Sequence, residues 1–221
     1  MNVLVAGGHG KVGLLLLKLL AARGDVARGL IRNPAHAADL EAVGAQPVIA
    51  DLEAETEEQL AAAVEGADAV VFAAGAGPGS GAARKRTVDL GGAVKLIGAC
   101  HRAGVHRYVM VGAMGVDRPG GYPPEMEPYY EAKREADEAL RRSGLEHTIA
   151  RPGRLTDDPA TGLIEVGMPL DHGGEVTRAD VAATLVAVLD QAHTIGLTFD
   201  LINGEVAVDE AVASLLPEPG G

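Results

Sequence analysis

Residues 3–13 read VLVAGGHGKVG, a short apolar run followed by a glycine-rich turn. Gly7, Gly10 and Gly13 follow the spacing G-x-x-G-x-x-G. Such a turn needs glycine where the backbone bends sharply, where it approaches a pyrophosphate and where a helix packs on a strand. The N–H groups at the start of that helix can bind an anion. The turn predicts a dinucleotide-binding site, and the alternative is a tight turn without a ligand. The residues expected to bind are Gly7, His9, Gly10, Lys11, Val12 and Gly13.

The rest of the chain alternates short apolar runs with segments of helical period, which predicts a parallel sheet covered by helices. The predicted strands are residues 3–6, 26–32, 47–51, 69–74, 107–111, 146–150, 163–166, 174–176 and 197–202. The predicted helices are residues 10–23, 34–43, 56–64, 84–103, 129–143, 178–191 and 207–216, with a frayed end at 217–221. We expect an α/β fold of Rossmann type, a doubly wound parallel sheet with helices on both faces. One domain would span residues 1–221, with 153–176 and the C-terminal segment forming a small substrate lobe.

Composition narrows the function classes. The 221 residues include 19 basic and 31 acidic side chains, a net charge of −12, and an acidic surface disfavours nucleic acid as a partner. The apolar runs are far shorter than the roughly 20 residues of a membrane span. No secretory signal is apparent, and the single cysteine, Cys100, cannot form an internal disulfide. We therefore expect a cytoplasmic protein that binds a small molecule as a monomer or homodimer.

The end of the second predicted strand indicates which dinucleotide binds. Binders of NAD usually carry an acid here to hold the ribose hydroxyls, whereas a basic residue can pair with the 2′-phosphate of NADP. Arg32 therefore favours NADP over NAD, and it disfavours S-adenosylmethionine and FAD, unless it is simply a solvated arginine. Lys11 and His9 could add positive charge. The ends of the next two strands would contact adenine and let the cofactor pass closely, through Asp51 and Leu52 and through Ala73, Ala74 and Gly75.

Six segments spread over the chain resemble the short-chain dehydrogenase/reductase superfamily, and more narrowly its atypical NAD(P)-binding, NmrA-like members. They are residues 5–13, 31–34, 87–93, 129–133, 151–156 and 177–182. The resemblance implies that Asp89 occupies the place of the superfamily's catalytic Asn. It also implies that residues 151–155 line the nicotinamide side. Further expected cofactor contacts are Val111, Gly112, Lys133, Pro152, Gly153, Arg154 and Leu155.

Tyr129 and Lys133 lie four residues apart on a predicted helix, hence on one face. In the superfamily that this chain resembles, such a pair is the acid–base machinery, and the ammonium together with the positive ring of the cofactor is expected to lower the pKa of the tyrosine. Tyr130 is a possible substitute. The alternative is a surface lysine beside a half-buried ring.

The hydroxyl that superfamily enzymes carry after the fifth strand is missing, because Gly112 and Ala113 stand there. Loss of one positioned donor can cost on the order of a hundredfold in rate. Three functions stay open: an NADP-dependent oxidoreductase acting on a small carbonyl or quinone-like substrate, an NAD(P)-dependent sugar epimerase or dehydratase, and a non-catalytic redox-sensing regulator. The substrate would lie near Tyr122, Pro123, Pro124, Met126 and residues 155–169.

Other chemistries have little support in the sequence. The seven histidines show no H-E-x-x-H spacing, so no metal is expected. The segment around Ser80 lacks the two glycines of the nucleophile elbow G-x-S-x-G, because Pro78 and Ala82 stand at those positions. Cys100 is expected to be a small core residue rather than a nucleophile.

Overall fold

The computed structural model of the chain describes residues 1–77, 79–118 and 123–216. The expectations for Tyr122 and for residues 217–221 lie outside these ranges. Nine strands form one sheet in the order β11-β8-β10-β6-β5-β4-β1-β2-β3, and β7 pairs with β9 separately. The strands are β1 (Asn2–Ala6), β2 (Val26–Ile31), β3 (Gln46–Ile49), β4 (Ala69–Phe72), β5 (Arg107–Val111), β6 (Glu146–Pro152), β7 (Arg154–Thr156), β8 (Leu163–Gly167), β9 (Glu175–Thr177), β10 (Thr198–Asn203) and β11 (Val206–Ala207).

Helices cover both faces of this sheet. They are α1 (Lys11–Ala22), α2 (Ala37–Ala42), α3 (Glu57–Val64), α4 (Gly81–Arg84), α5 (Ala93–Ala103), α6 (Glu127–Arg142), α7 (Arg178–Asp190) and α8 (Val208–Ala213). The strands in the order β10-β6-β5-β4-β1-β2-β3 pair in parallel and are covered on both sides. The central strand β4 is accordingly apolar throughout, and each of its residues is buried. The predicted fold class is confirmed.

The two faces have separate cores. Leu16 and Leu17 of α1 pack with Leu185 of α7 on one face. On the other face Leu60 of α3 packs with Leu96 of α5. All five side chains are fully buried, and this burial of apolar area is the main stabilising contribution to the layered arrangement.

The strand order places a cleft at one edge of the sheet. β1 lies between β2 and β4. The chain therefore adds β2 and β3 on one side of β1 and then crosses over to form β4 on the other side. In open parallel sheets, ligands bind at the carboxyl ends of the strands beside such a switch point. The glycine-rich turn after β1 lies at this point.

Several segments differ from the sequence-based boundaries, and β7 (Arg154–Thr156) was not predicted. β6 continues through Arg151 and Pro152, because β10 pairs with it beyond residue 150. The predicted helix 84–103 begins earlier, as α4, and is π-helical over Lys85–Gly92 before α5. The last predicted helix begins as β11, which pairs with β8 through Val206 and Ala207. Within the described residues, no helix combines the length and apolar character needed to cross a membrane.

Candidate active site

The glycine-rich turn is shaped by close backbone approaches. Gly7 has a φ of +82°, and a Cβ built there would lie 2.7 Å from the Cα of Ala74 at the end of β4. A Cβ on Gly13 would lie 2.3 Å from the carbonyl oxygen of Gly7. The N–H of Gly10 donates to that same oxygen at 2.8 Å. Only glycine fits at Gly7 and Gly13, so the turn can lie directly against the neighbouring strand end.

The turn leads into the amino terminus of α1, which has unused donors. Gly10 is the cap residue, and among the described residues no side chain accepts from the first N–H groups of α1. The first turn also contains no acidic residue. These N–H groups and the positive end of the helix dipole suit an anion. The turn therefore fits the pyrophosphate of a dinucleotide.

A cleft of about 400 Å³ opens beside this turn. Of the residues expected to bind the adenosine side of the cofactor, two thirds line this cleft: Gly7, His9, Gly10, Arg32, Asp51, Leu52, Ala74 and Gly75. Lining residues that the sequence analysis missed are Leu30, Ile31, Asn33, His36, Ala50, Glu53, Arg84 and Val88. Leu30, Ile31 and Asn33 adjoin Arg32 and could have been included by position, whereas Glu53 and Arg84 have no local signature.

The remaining expected contacts lie outside the lining of this cleft. On the turn and the end of β4 they are Lys11, Val12, Gly13 and Ala73; on the nicotinamide side they are Val111, Gly112, Lys133, Pro152, Gly153, Arg154 and Leu155. Arg154 is largely exposed and pairs with Glu175 across the β7–β9 ribbon. The cofactor role of each of these residues stays a prediction.

The basic side chains expected to attract the cofactor are each paired with a carboxylate. The guanidinium of Arg32 lies 3.1 Å from Glu53. The ammonium of Lys11 lies 2.5 Å from Asp157, which Arg178 also contacts at 2.8 Å.

His9 also has an acidic neighbour, since its Nε2 lies 2.8 Å from Asp39. The His9 ring stacks on that of His36, with centroids 3.7 Å apart. Each basic side chain of the predicted positive pocket thus lies against a carboxylate.

Lys133 is buried, with an exposure of 5%. Its Nζ donates to the carbonyl oxygen of Val111 at 3.1 Å and lies 3.4 Å from Oδ1 of Asp89. Asp89 is equally buried, and its Oδ2 accepts from the N–H of Ala76 at 3.1 Å. The pair therefore joins the ends of β4 and β5 to α6, which excludes the alternative of a solvated surface lysine.

Tyr129 lies one turn before Lys133 on α6. Its ring packs edge-on against Tyr130, with centroids 5.3 Å apart, and the Nζ of Lys85 lies 5.7 Å from its centroid. Burial raises the pKa of Tyr129 above its usual value, and although Lys133 acts to lower that pKa, burial outweighs it. Lys133 alone therefore does not produce the expected lowering, to which the positive ring of the cofactor was also expected to contribute, and the phenol is neutral at neutral pH.

A second buried charge network lies beneath the end of β5. Asp137, one turn after Lys133 on α6, accepts from Nε of Arg151 at 2.8 Å. The Nη1 of Arg151 donates to Asp117 at 2.5 Å. Burial raises the pKa of Asp137 despite this partner. A Cβ on Gly112 would lie 3.0 Å from Cγ of Arg151 and 3.2 Å from Oδ1 of Asp137, so the network fills the space of a side chain there.

The described residues provide no site for a metal ion and no reactive thiol. Those residues contain no group of three or more His, Cys, Asp or Glu that could hold a metal ion. Cys100 is fully buried in α5, and burial raises the pKa of its thiol to about 12. A thiol of that kind is unreactive at neutral pH.

Comparison with known proteins places these features in context. A family model described as NAD(P)H-binding matches residues 7–192. A Bacillus subtilis protein named uncharacterized sugar epimerase YhfK is 39% identical over 97% of this chain and all of its own length.

Solved structures are also similar. A Bacillus halodurans protein described as a candidate NAD-dependent epimerase/dehydratase has a TM-score of 0.93 and 39% identity, over 97% of this chain and 100% of its own. ChuY from Escherichia coli O157:H7, named as an anaerobillin reductase, has a TM-score of 0.78 and 26% identity, over 93% of this chain and 98% of its own.

Proposed function

This chain belongs to the NAD(P)H-binding family, and from that premise we propose that it is an NADP-dependent oxidoreductase acting on a small carbonyl or quinone-like substrate. Its family relationship is consistent with the atypical, NmrA-like members of the short-chain dehydrogenase/reductase superfamily. The observation that carries the proposal is the burial of Lys133 beside Asp89, one helical turn from Tyr129. A buried ammonium next to a tyrosine, at the edge of a dinucleotide cleft, is the arrangement that acid–base work on a substrate oxygen needs.

The cofactor role follows from the adenosine end. The uncapped amino terminus of α1 and the turn at Gly7 and Gly13 would hold the pyrophosphate, and Arg32 would hold the 2′-phosphate. The chemistry supplied by bound NADPH is a hydride for the substrate carbon.

Tyr129 would donate the proton that the substrate oxygen takes up. Since its pKa is raised in the ligand-free protein, the phenol holds that proton at neutral pH and is ready for reduction. Lys133 would stabilise the phenolate left behind, while its contact with the Val111 carbonyl and with Asp89 fixes the ammonium in place.

One experiment tests the assignment directly. NADPH consumption would be followed with a panel of small quinones and aldehydes, using the wild type, Tyr129→Phe, Lys133→Met and Tyr130→Phe. We expect the first two variants to lose on the order of a hundredfold or more in kcat, whereas Tyr130→Phe, which removes the same hydroxyl one position along, retains most activity. Turnover that survives in Tyr129→Phe and is lost in Tyr130→Phe would transfer the role to Tyr130.

The names of two relatives favour the epimerase or dehydratase alternative. In that reaction a hydride leaves a nucleotide sugar and returns to the same molecule, so no coenzyme is consumed. Isomerised or dehydrated product without net loss of NADPH would support this function. The name of ChuY instead favours net reduction of a substrate.

The absence of a hydroxyl at Gly112 and Ala113 favours the third function, a redox-sensing regulator. Ala113→Ser restores a hydroxyl at the end of β5, and for a reductase we expect it to raise kcat by on the order of tenfold. Tight NADP binding, with weak turnover that neither Ala113→Ser nor Tyr129→Phe changes, would support the regulator. The single cysteine supports a cytoplasmic location for any of these functions.

A further inference from the structure

Glu53 lies between two guanidinium groups in the wall of the cofactor cleft. Its Oε2 is 3.1 Å from Nη1 of Arg32 and 2.8 Å from Nη2 of Arg84. Its Oε1 accepts from the hydroxyl of Thr87 at 2.6 Å. Arg32 follows β2 and Arg84 ends α4, so this one carboxylate joins basic side chains from two elements that flank the cleft.

The backbone around Glu53 is held by its neighbours, so the carboxylate is kept at this position. The N–H of Glu53 donates to the side chain of Asp51 at 2.8 Å, and the N–H of Asp51 donates to the side chain of Glu55 at 3.0 Å. The Nζ of Lys95 donates to the carbonyl oxygens of Glu53 and Glu55, both at 2.9 Å. The hydrogen bonds from Thr87 and Arg84 also lower the pKa of Glu53, so the group is charged at neutral pH.

This arrangement affects the two nicotinamide coenzymes differently. The 2′-phosphate of NADP needs the N–H groups of nearby guanidiniums, and a carboxylate that already accepts from them competes for those donors. The same carboxylate adds a like charge beside the phosphate. NAD carries a neutral hydroxyl at this position, so neither effect applies to it.

We propose that Glu53 determines coenzyme selectivity, by competing with the 2′-phosphate of NADP for Arg32 and Arg84 and so limiting the preference for NADP over NAD. This inference rests on the proposed function and deepens it. It also assigns Arg84 as a second residue that contacts the phosphate.

The test compares Glu53→Gln with Glu58→Gln. Both remove one negative charge from an arginine-paired glutamate, but Glu58 of α3 pairs with Arg102 of α5, and neither residue lines the cleft. Calorimetric titration would measure the Kd of NADPH and NADH, and of the fragments 2′,5′-ADP and 5′-AMP, for both variants and the wild type. Thermal unfolding would establish that each variant is folded.

We expect Glu53→Gln to bind NADPH and 2′,5′-ADP about tenfold more tightly, the gain from freeing two partly exposed ion pairs. NADH and 5′-AMP should change by less than about twofold, and Glu58→Gln should resemble the wild type. A second variant, Arg84→Gln, should weaken 2′,5′-ADP and leave 5′-AMP unchanged.

The inference is overturned by unchanged or weaker NADPH binding in Glu53→Gln, by equal shifts for both coenzymes, or by unaltered 2′,5′-ADP binding in Arg84→Gln. These outcomes differ from failure of the proposed function. If the folded wild type bound neither coenzyme, the cofactor assignment itself would be wrong.

Discussion

The ammonium of Lys133 lies 3.4 Å from the carboxylate of Asp89, and both side chains are almost completely buried. Because almost no water reaches either group, each charge is stabilised by the other instead of by solvent. Removal of one partner of such a pair leaves an uncompensated buried charge, which costs more than the pair itself contributes.

Asp89→Asn should therefore destabilise the fold. We expect the free energy of unfolding in urea to fall by about 3 kcal/mol, because the Lys133 ammonium loses the buried carboxylate with which it pairs. Asp171→Asn is the matched control: Asp171 is almost fully exposed beside His172, and its replacement should cost less than about 0.5 kcal/mol. Equal stability of Asp89→Asn and the wild type would contradict a charge-compensating role.

Arg32→Gln tests the cofactor assignment. Because a guanidinium forms charge-assisted hydrogen bonds with a phosphate, we expect the Kd of NADPH to rise by about tenfold and that of NADH to stay within about twofold. Arg102→Gln removes an arginine of α5 that is likewise paired with glutamates but does not line the cleft, and should leave both constants unchanged. Unaltered NADPH affinity in Arg32→Gln would show that the 2′-phosphate binds elsewhere.

The ionisation of Tyr129 should occur above pH 10. Burial raises its pKa in the folded protein, so the stability that depends on its neutral form is present below the unfolded value near 10 and is lost as the pH rises through the folded value. The measurement is the ultraviolet difference titration between the wild type and Tyr129→Phe.

The same titration reports on Lys133. Its charge acts to lower the pKa of Tyr129, so Lys133→Met should move the ionisation to still higher pH. Lys18→Met, at an exposed position of α1, should not move it. An ionisation below pH 10 in the coenzyme-free wild type would mean that the ammonium outweighs burial.

Gly112→Ser should not recover the missing hydroxyl. A Cβ at this position meets Arg151 and Asp137 at 3.0 and 3.2 Å, and crowding a packed buried site costs about 1–3 kcal/mol. We expect a lower unfolding midpoint and no gain in turnover. Gly173→Ser places the same side chain in open space and should be nearly neutral. If Gly112→Ser were as stable as Gly173→Ser, the charge network beneath β5 would have room that the structure does not show.

The sequence predicts the order of strands and helices well, because apolar runs and glycine turns are local signals. The turn from Gly7 to Gly13 was identified from spacing alone, and its close backbone contacts explain why the glycines are required. The extension of β6 through Pro152 was missed because it depends on pairing with β10, about 50 residues later.

The site was harder to predict where long-range contacts determine the chemistry. Arg32 was identified by its place after β2, but its partner Glu53 belongs to another loop and has no local signature. The balance between burial and the charge of Lys133 at Tyr129 could not be predicted either, since the i, i+4 spacing reveals Lys133 and says nothing about burial.

The pairing of Lys11, His9 and Arg32 with carboxylates bears on how fast a coenzyme arrives. A cleft whose cations are already neutralised offers little long-range attraction, and the chain as a whole carries a charge of −12. Screening confines the repulsion of an anionic coenzyme to about a Debye length from the surface, roughly 10 Å at 0.1 M salt. Diffusional encounter should accelerate as ionic strength rises, the reverse of the behaviour of electrostatically steered enzymes.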